Sequence, residues 1–313
     1  MTKQYGILAF PAKHSLSPEV HNAAFKAIGF DAQYGVFEIP ENELDNFMKQ
    51  VENDPISGLS VSLPYKEVML NHMNTVDEDA KKIGAVNTVV NNGGILHGYN
   101  TDFIGSNKAL EQSVGNLEGK NVVIIGAGGA ARAVIYGLLK AKANVVGILN
   151  RTLETAEKLA KEFSEMFGVT IKVGSMENLA ERLPFKNDLG NDSILIQTTS
   201  IWTLNPNMSA SEAEAFCSKE YVQLFSTIMD IVYSPQITPL LQTAKNLGKK
   251  IITGDKMFLY QAAEQFKLWT EKEPPIDVMR KVLEDSLSLT SGVYLEDYHF
   301  LFLFSAYTSS KIS

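Results

Sequence analysis

A lysine and an aspartate in polar, turn-rich stretches are the strongest candidates for chemistry in this sequence. Lys66 lies in Ser60–Glu67, and Asp102 ends the stretch Gly98–Asp102. Neither stretch has the residue pattern of a buried core. Interconversion of an alcohol and a carbonyl needs a group that takes up the hydroxyl proton and returns it in the reverse direction. A lysine beside a carboxylate can do this, although an isolated Lys or Asp is more often a surface charge.

A glycine-rich loop further along the chain supplies the second half of such a reaction. The pattern Gly126-x-Gly128-x-x-Ala131 follows a Val/Ile strand and opens a predicted helix, as in a dinucleotide-binding fingerprint. The first glycine permits a tight turn, the second lets the backbone approach a pyrophosphate, and the helix N-terminus faces negative charge. The predicted cofactor contacts in this loop are Gly126, Ala127, Gly128, Gly129 and Ala130.

The residues after the next predicted strand favour NADP over NAD as the cofactor. NAD sites usually carry Asp or Glu there to hold the ribose 2′-hydroxyl, whereas this chain has Asn150-Arg151-Thr152. Arg151 can bind a 2′-phosphate through charge-assisted hydrogen bonds, or it can be an ordinary solvated arginine. Because this segment has only one arginine and Glu154 is near it, NAD is kept as an alternative cofactor.

Hydroxyl-rich substrates are bound by side chains that both donate and accept hydrogen bonds. Ser15 and Ser17, which follow the first predicted strand, are expected to hold a carboxylate. Ser17 is alternatively the N-cap of a helix with Pro18 in its first turn. The amides of Asn87 and Gln261 either bind ring hydroxyls or are satisfied by neighbouring backbone.

Composition limits the class of protein. With 313 residues, 45% hydrophobic and 20% charged, the chain is long enough for two ordinary folded domains. A net charge of −8 argues against a nucleic-acid partner. The single cysteine, Cys217, excludes an internal disulfide and a multi-cysteine metal site, and no metal is predicted. We find no signal peptide and no stretch near the roughly 18 apolar residues of a membrane span, so no membrane partner is predicted and the cytoplasm is expected.

Short β-rich runs alternate with helical patterns, which predicts a parallel α/β architecture. Strands are predicted at 5–10, 32–39, 56–61, 121–125, 145–149, 194–197 and 228–232. Paired glycines at 93–94 predict a hairpin between 85–91 and 95–98. Helices are predicted at 18–28, 41–52, from the glycine loop to about 141, and at 152–166, 239–247, 255–269 and 276–287.

Long helices after a dinucleotide unit commonly pack back on the preceding unit. We therefore expect a discontinuous substrate domain of residues 1–103 and 238–290 around a cofactor domain of residues 104–237. Residues 291–313 form a tail of unknown role with the apolar run Tyr298–Phe304. This run is too short to span a bilayer. It is interpreted as a packed terminal segment or oligomer contact, with a membrane-touching tail as the alternative.

From Tyr5 to about Leu287 the chain resembles the shikimate dehydrogenase family. The resemblance rests on ordered motifs: Ser15-Leu16-Ser17-Pro18, Pro64-x-Lys66-Glu67, Gly84-Ala85-Val86-Asn87-Thr88, Gly98-Tyr99-Asn100-Thr101-Asp102-x-x-Gly105, Gly126 to Ala131, Asn150-Arg151-Thr152, Asp230-x-Val232-Tyr233-x-Pro235-x-x-Thr238-Pro239-Leu240, and Gly254-x-x-Met257-x-x-x-Gln261-Ala262 with Phe266 and Trp269-Thr270.

The resemblance implies NADPH-dependent reduction of 3-dehydroshikimate to shikimate by a monomer or homodimer. It implies an N-terminal α/β substrate domain and an NADP-binding Rossmann domain, with C-terminal helices packing back on the first domain. Lys66 and Asp102 match catalytic positions. The implied substrate contacts are Ser15, Ser17, Ser62, Asn87, Asp102, Tyr233 and Gln261. The implied cofactor contacts beyond the glycine loop are Asn150, Arg151, Thr152, Thr199 and Gly254.

Three departures from the family pattern bear on specificity. Ser60-Val61-Ser62 stands where Asn-Val-Thr is usual, which implies a looser hydroxyl pocket. Gln197-Thr198-Thr199-Ser200 replaces Asn-Ala-Thr-Ser, with Trp202 in place of a following glycine, and Thr155 replaces a second basic residue. A dehydrogenase for quinate or another cyclohexane polyol that uses NAD(P) is therefore the alternative function. A non-catalytic dinucleotide-binding regulator is a weaker alternative, because both Lys66 and Asp102 are retained.

Overall fold

A computed structural model describes residues 2–12, 15–53, 56–176, 183–201 and 217–289. Within these ranges the chain forms two six-stranded sheets with helices packed around them. The α/β fold class expected from the sequence is confirmed. The predicted tail at 291–313 and Trp202 lie outside the described residues.

The first sheet is mixed rather than wholly parallel. Its strands are β1 (Lys3–Ala9), β2 (Ala32–Glu38), β3 (Ile56–Val61), β4 (Thr75–Val76), β5 (Thr88–Asn92) and β6 (Ile95–Tyr99). They lie in the order β2-β1-β3-β5-β6-β4. Strand β5 runs antiparallel to both β3 and β6, and the predicted hairpin accounts for its pairing with β6. The β5–β6 hairpin was predicted, and its turn glycines have φ values of 63° and 93°.

The second sheet has the strand order of a dinucleotide-binding unit. Its strands are β7 (Asn121–Ile125), β8 (Asn144–Asn150), β9 (Lys172–Ser175), β10 (Ile194–Gln197), β11 (Thr227–Asp230) and β12 (Lys250–Ile252). All neighbours pair in parallel in the order β12-β11-β10-β7-β8-β9. The order reverses between β7 and β10, and ligands of doubly wound sheets bind at the carboxyl ends of the strands at this point.

The helices connect and cover these sheets. They are α1 (Ser17–Ala27), α2 (Leu44–Asn53), α3 (Glu78–Ile83), α4 (Asp102–Val114), α5 (Gly129–Lys140), α6 (Leu153–Phe167), α7 (Lys219–Val222), α8 (Pro239–Asn246), α9 (Gly254–Thr270) and α10 over 276–289. Helix α4 was not predicted, because small and polar residues interrupt its apolar pattern.

Helix α9 returns to the first sheet, as expected for the C-terminal helices. The Trp269 indole Nε1 donates a hydrogen bond to the Val89 carbonyl of β5 at 3.0 Å. The Trp269 ring centroid lies 5.1 Å from that of Tyr5 in β1, and Phe266 lies 5.5 Å from Phe25 in α1. Each such buried aromatic side chain contributes about 2–3 kcal/mol of hydrophobic free energy. The core of the first sheet therefore depends on residues from both ends of the chain.

In the part of the chain that the structure describes, no helix combines the length and apolarity needed to cross a bilayer. The same residues contain no group of three or more His, Cys, Asp or Glu side chains arranged to hold a metal ion.

Candidate active site

Lys66 and Asp102 form a direct ion pair. The Lys66 Nζ donates to the Asp102 Oδ2 at 2.6 Å, and the two side chains are 15% and 5% exposed. The pair is therefore nearly buried, although neither polar stretch has the residue pattern of a core. A buried pair is tolerated only when further hydrogen bonds satisfy its remaining atoms.

Different elements hold the two members of the pair. Lys66 lies in the turn after β3, and its backbone carbonyl accepts a hydrogen bond from Val86 N at 2.7 Å. Asp102 is the first residue of α4, where free N–H groups and the helix dipole favour a carboxylate. The Asp102 N–H donates to the Asn100 Oδ1 at 3.0 Å. The predicted turn at Asp102 is thus the start of a helix.

Asn87 completes the contacts of the Asp102 carboxylate. Its Nδ2 donates to the Asp102 Oδ1 at 2.8 Å and to the Thr101 Oγ1 at 2.9 Å. The Asn87 Oδ1 accepts from Thr101 N at 2.7 Å and from the Thr88 hydroxyl at 2.7 Å. Gln261 Oε1 lies 3.4 Å from the Asn87 Nδ2. The structure therefore groups Lys66, Asp102, Asn87 and Gln261, and adds two threonines that sequence reasoning did not assign.

The two serines near the N-terminus lie together at the start of α1. The Ser15 hydroxyl donates to the Ser17 Oγ at 3.1 Å and accepts from the Ser17 N–H at 3.2 Å. Leu16 occupies the N-cap position and makes no side-chain capping bond. The alternative of Ser17 as N-cap is therefore wrong, because Ser17 is the first helical residue. Burial raises the pKa of the Tyr233 phenol, and contacts with the Leu16 backbone and Ser15 hydroxyl oppose this rise.

Ser60 does not leave the loose pocket that its small size suggested. It is buried, and its hydroxyl accepts from the Tyr34 hydroxyl at 2.6 Å and donates to the Gln265 Oε1 at 2.8 Å. Ser62 follows β3 half-buried, and its N–H donates to the Leu8 carbonyl at 2.9 Å. Of the two serines that replace the usual Asn and Thr, Ser60 is thus held by Tyr34 and Gln265, and Ser62 lies outside these hydrogen bonds.

The glycine loop forms a tight turn between β7 and α5. Gly126 has φ of 111°, and a Cβ there would lie 2.5 Å from the Thr198 Oγ1, so only glycine fits. Gly128 precedes α5, and a Cβ there would meet no atom within 4 Å. A Cβ on Gly129 would lie 3.0 Å from the Cβ of Lys66. The start of α5 therefore adjoins the lysine of the ion pair.

Thr199 lies beside this loop with an unused hydroxyl. Its Oγ1 is buried and has no hydrogen-bond partner in the described part of the chain. The Gln197 side chain, which replaces an expected asparagine, folds back on the segment. Its Nε2 donates to the Thr199 carbonyl at 2.9 Å and to the Asp230 Oδ1 at 3.1 Å. The orphaned Thr199 hydroxyl and the bare Gly128 backbone fit the phosphate end of a dinucleotide.

The residues after β8 provide a second open polar surface. Asn150 Nδ2 donates to the Thr152 carbonyl at 2.9 Å, and Arg151 and Thr152 are exposed. Thr152 occupies the N-cap position of α6 without a side-chain capping bond, so the first N–H groups of α6 are available to an anion. Gly254 is buried at the start of α9, where a Cβ would lie 2.3 Å from the Ile231 carbonyl.

Family models match most of the chain. The model of the shikimate dehydrogenase substrate binding domain matches residues 7–89, and that of shikimate / quinate 5-dehydrogenase matches residues 108–246. The model of the shikimate 5′-dehydrogenase C-terminal domain matches residues 256–284.

Individual proteins that resemble this chain in sequence and in structure belong to the same family. A shikimate dehydrogenase (NADP(+)) from Thermococcus kodakarensis is 40% identical over 287 residues, which cover 92% of this chain and 98% of the relative. A crystal structure of shikimate dehydrogenase in complex with NADP+ has a TM-score of 0.77 at 36% identity, covering 91% of this chain and 96% of the other. The Thermus thermophilus enzyme, in complex with NADP(H) and shikimate, has a TM-score of 0.73 at 32% identity and covers 91% of this chain and 100% of its own.

Proposed function

The chain belongs to the shikimate dehydrogenase family, and we propose that it catalyses the reversible NADPH-dependent reduction of 3-dehydroshikimate to shikimate. The observation that carries this proposal is the 2.6 Å contact between Lys66 Nζ and Asp102 Oδ2 beside the helix start at Gly129. A proton-transferring pair next to a dinucleotide loop is what reduction of a ring carbonyl requires.

We propose that Lys66 acts on the proton of the reacting oxygen. In the reductive direction its ammonium donates a proton to the carbonyl oxygen as that oxygen becomes a hydroxyl, and in the oxidative direction it takes the proton back. Asp102 holds the ammonium in place and compensates its charge, because both carboxylate oxygens already accept hydrogen bonds from Lys66 and Asn87. A positioned proton donor of this kind contributes about 10²–10⁴-fold to rate.

The remaining polar side chains are proposed to orient the substrate. Ser15 and Ser17, 3.1 Å apart, would hold its carboxylate, with Tyr233 against Ser15. Asn87, Asp102, Gln261 and Ser62 would bind ring hydroxyls. Such hydroxyl contacts discriminate strongly, because an analogue that lacks one hydroxyl leaves a buried polar group unpaired.

We propose that the cofactor is held by the carboxyl ends of the second sheet. Gly126 to Ala130 and Thr199 would contact its pyrophosphate, Gly254 its nicotinamide end, and Asn150 to Thr152 its 2′-phosphate. When bound, NADPH supplies the hydride for the ring carbon. The exposed Arg151 has no ion-pair partner in the described residues, so its guanidinium is available to a phosphate. This division of labour corresponds to a substrate domain of residues 1–103 and 238–290 and a cofactor domain of residues 104–237.

We also propose that the enzyme works as a monomer or homodimer. The cytoplasm is its proposed location, since a chain with one cysteine gains no internal disulfide from an oxidising compartment.

A four-way rate comparison tests the proposed function. Initial rates of reduced-cofactor appearance are measured at 340 nm with shikimate and with quinate, each against NADP and NAD. Fast turnover with shikimate and NADP alone is the expected result. A preference for quinate or NAD would instead assign the chain to the alternative polyol dehydrogenase, and no turnover in any arm would refute the proposal.

A further inference from the structure

A line of buried hydrogen bonds connects the first sheet to Asp102 through side chains that the proposed chemistry leaves unassigned. The Tyr34 hydroxyl of β2 donates to Ser60 in β3 at 2.6 Å, and Ser60 donates to the Gln265 Oε1 of α9 at 2.8 Å. The Gln265 Nε2 donates to the Thr88 Oγ1 at 3.1 Å and to the Asn87 carbonyl at 3.0 Å. All of these side chains are buried.

The line continues through the Asn87 amide to the ion pair. Thr88 donates to the Asn87 Oδ1 at 2.7 Å, and the Asn87 Nδ2 donates to the Asp102 Oδ1 at 2.8 Å. Every bond from Tyr34 to Asp102 therefore points in the same direction, with each donor closer to Tyr34 and each acceptor closer to Asp102.

The chemistry of the groups fixes this direction. A carboxylate can only accept, so the Asn87 amide must turn its Nδ2 toward Asp102 and its Oδ1 away. The Asn87 Oδ1 therefore accepts a hydrogen bond from the Thr88 hydroxyl, and the Thr88 oxygen is left to accept one. The Gln265 Nε2 is the donor to that oxygen. Bonds aligned in one direction polarise each other and strengthen the final bond to the carboxylate.

The far end of the line stays uncharged. Burial raises the pKa of the Tyr34 phenol, with the Ser60 and Ser17 hydroxyls opposing the rise, so the phenol keeps its proton and donates. The His21 ring stacks on Tyr34 with centroids 4.7 Å apart. Burial lowers the pKa of His21 to about 3, with Gln265 opposing, so this ring is neutral at pH 7.

We propose that Gln265 is a positioning residue, which acts through Asn87 to hold the Asp102 carboxylate against Lys66. The inference rests on the proposed function for its kinetic test. Without the Gln265 Nε2, the Asn87 carbonyl and the Thr88 hydroxyl lose the donor they share, while the Asn87 Oδ1 keeps only its bonds from Thr88 and the Thr101 N–H. The Asn87 segment then shifts, its amide bond to Asp102 lengthens, and the carboxylate moves away from the lysine ammonium.

A double-mutant cycle tests this proposal, with kcat, KM and cofactor Kd measured for Gln265→Met, Asn87→Ala and the double variant. We expect Gln265→Met to lower kcat at least about 10-fold while KM changes by less than about 3-fold. The double variant should be no slower than Asn87→Ala alone, because both changes break the same line. If the kcat of the double variant falls by the product of the two single fold-losses, the proposal is overturned, since the two substitutions would then act independently.

Thr270→Val is the matched control, because it removes a buried hydroxyl bond in the same helix, from Thr270 Oγ1 to the Phe266 carbonyl at 2.7 Å. Its kcat should stay within about 2-fold of the parent enzyme. If Gln265→Met behaves like this control, Gln265 does not position the site. If Gln265→Met does not fold, Ser60→Ala removes the preceding bond and is run through the same cycle.

A second measurement needs no turnover and separates this inference from the proposed function. The rate at which an amine-acylating reagent modifies Lys66 is followed by peptide mass spectrometry. The rate should rise several-fold in Gln265→Met and stay unchanged in Thr270→Val, because a displaced Asp102 no longer holds the ammonium. Equal rates in both variants would refute the positioning role even if the parent enzyme proved inactive on shikimate.

Discussion

Replacement of His21 by phenylalanine should stabilise the protein, and the gain should grow in acid. His21 is fully buried between the rings of Tyr34 and Trp269, whose centroids lie 4.7 Å and 5.0 Å from its own. Neither ring nitrogen of His21 makes a hydrogen bond of good geometry in the described residues, although Gln265 lies near enough to favour the protonated ring slightly. An unsatisfied buried polar group such as this imidazole costs about 1–3 kcal/mol. Phenylalanine keeps an aromatic ring at this position and has no polar atom to satisfy.

The pH dependence follows from the pKa of the same residue. Burial lowers the pKa of His21 from 6.5 to about 3. Below pH 6.5 the unfolded chain binds a proton at His21 that the folded protein does not bind until about pH 3. Folding free energy is therefore lost as the pH falls through this window, and about 2 kcal/mol is lost between pH 7.5 and pH 5.0. The phenylalanine in His21→Phe binds no proton, so this variant should not lose that part of its folding free energy between pH 7.5 and pH 5.0.

Urea unfolding of the parent protein and His21→Phe at pH 7.5 and pH 5.0 measures both effects. We expect His21→Phe to be more stable by about 1–3 kcal/mol at pH 7.5, and by about 2 kcal/mol more than that at pH 5.0. His72→Gln, which changes a histidine with a 20% exposed side chain, tests whether loss of any histidine has this effect. A stability difference that is the same at both pH values would refute the reasoning.

Four further substitutions test the site. Lys66→Met should lower kcat by about 10²–10⁴-fold with cofactor Kd unchanged, so near-normal turnover would contradict proton transfer by this residue. Arg151→Ala should weaken NADP at least about 10-fold more than NAD in fluorescence titrations, because it removes a charge-assisted bond to the 2′-phosphate; equal weakening would exclude that role. Gly126→Ala should lower the Tm, since its φ is 111° and the new Cβ would lie 2.5 Å from the Thr198 Oγ1. Gly128→Ala should keep the Tm and lose only cofactor affinity, and a matching Tm loss in both variants would contradict this account of the loop.

The parts of the fold that were predicted well carry local signals. Strands β3, β7 and β10 have the predicted bounds, because apolar β-branched runs end there at turn residues or at the glycine loop. Helix α4 gave no such signal, since Gly105 and Ser106 lie on a face that is buried between neighbouring helices. Its surroundings rather than its own propensity make it helical.

The sequence names residues that lie together in the structure, but it does not predict the contacts among them. Lys66 and Asp102 were identified from polar motifs and resemblance, yet their contact joins residues 36 positions apart and depends on how two elements meet. Gln265 was overlooked because a glutamine within an amphipathic helix has the appearance of a surface residue. Its burial depends on Ser60 and Thr88 in two different strands, and one-dimensional patterns do not encode such a three-way contact.

The contact between Trp269 and Val89 also sets the order in which the nascent protein can fold. These residues are 180 positions apart, so a ribosome adding 5–20 residues per second makes the second about 10–35 s after the first. During that interval the first sheet is complete in strands but lacks the helix that covers Tyr5 and Phe25. All strands of the second sheet are synthesised within the same interval, one after another along the chain. The second sheet is therefore the unit that can finish folding first, and the first sheet is covered only when α9 leaves the exit tunnel.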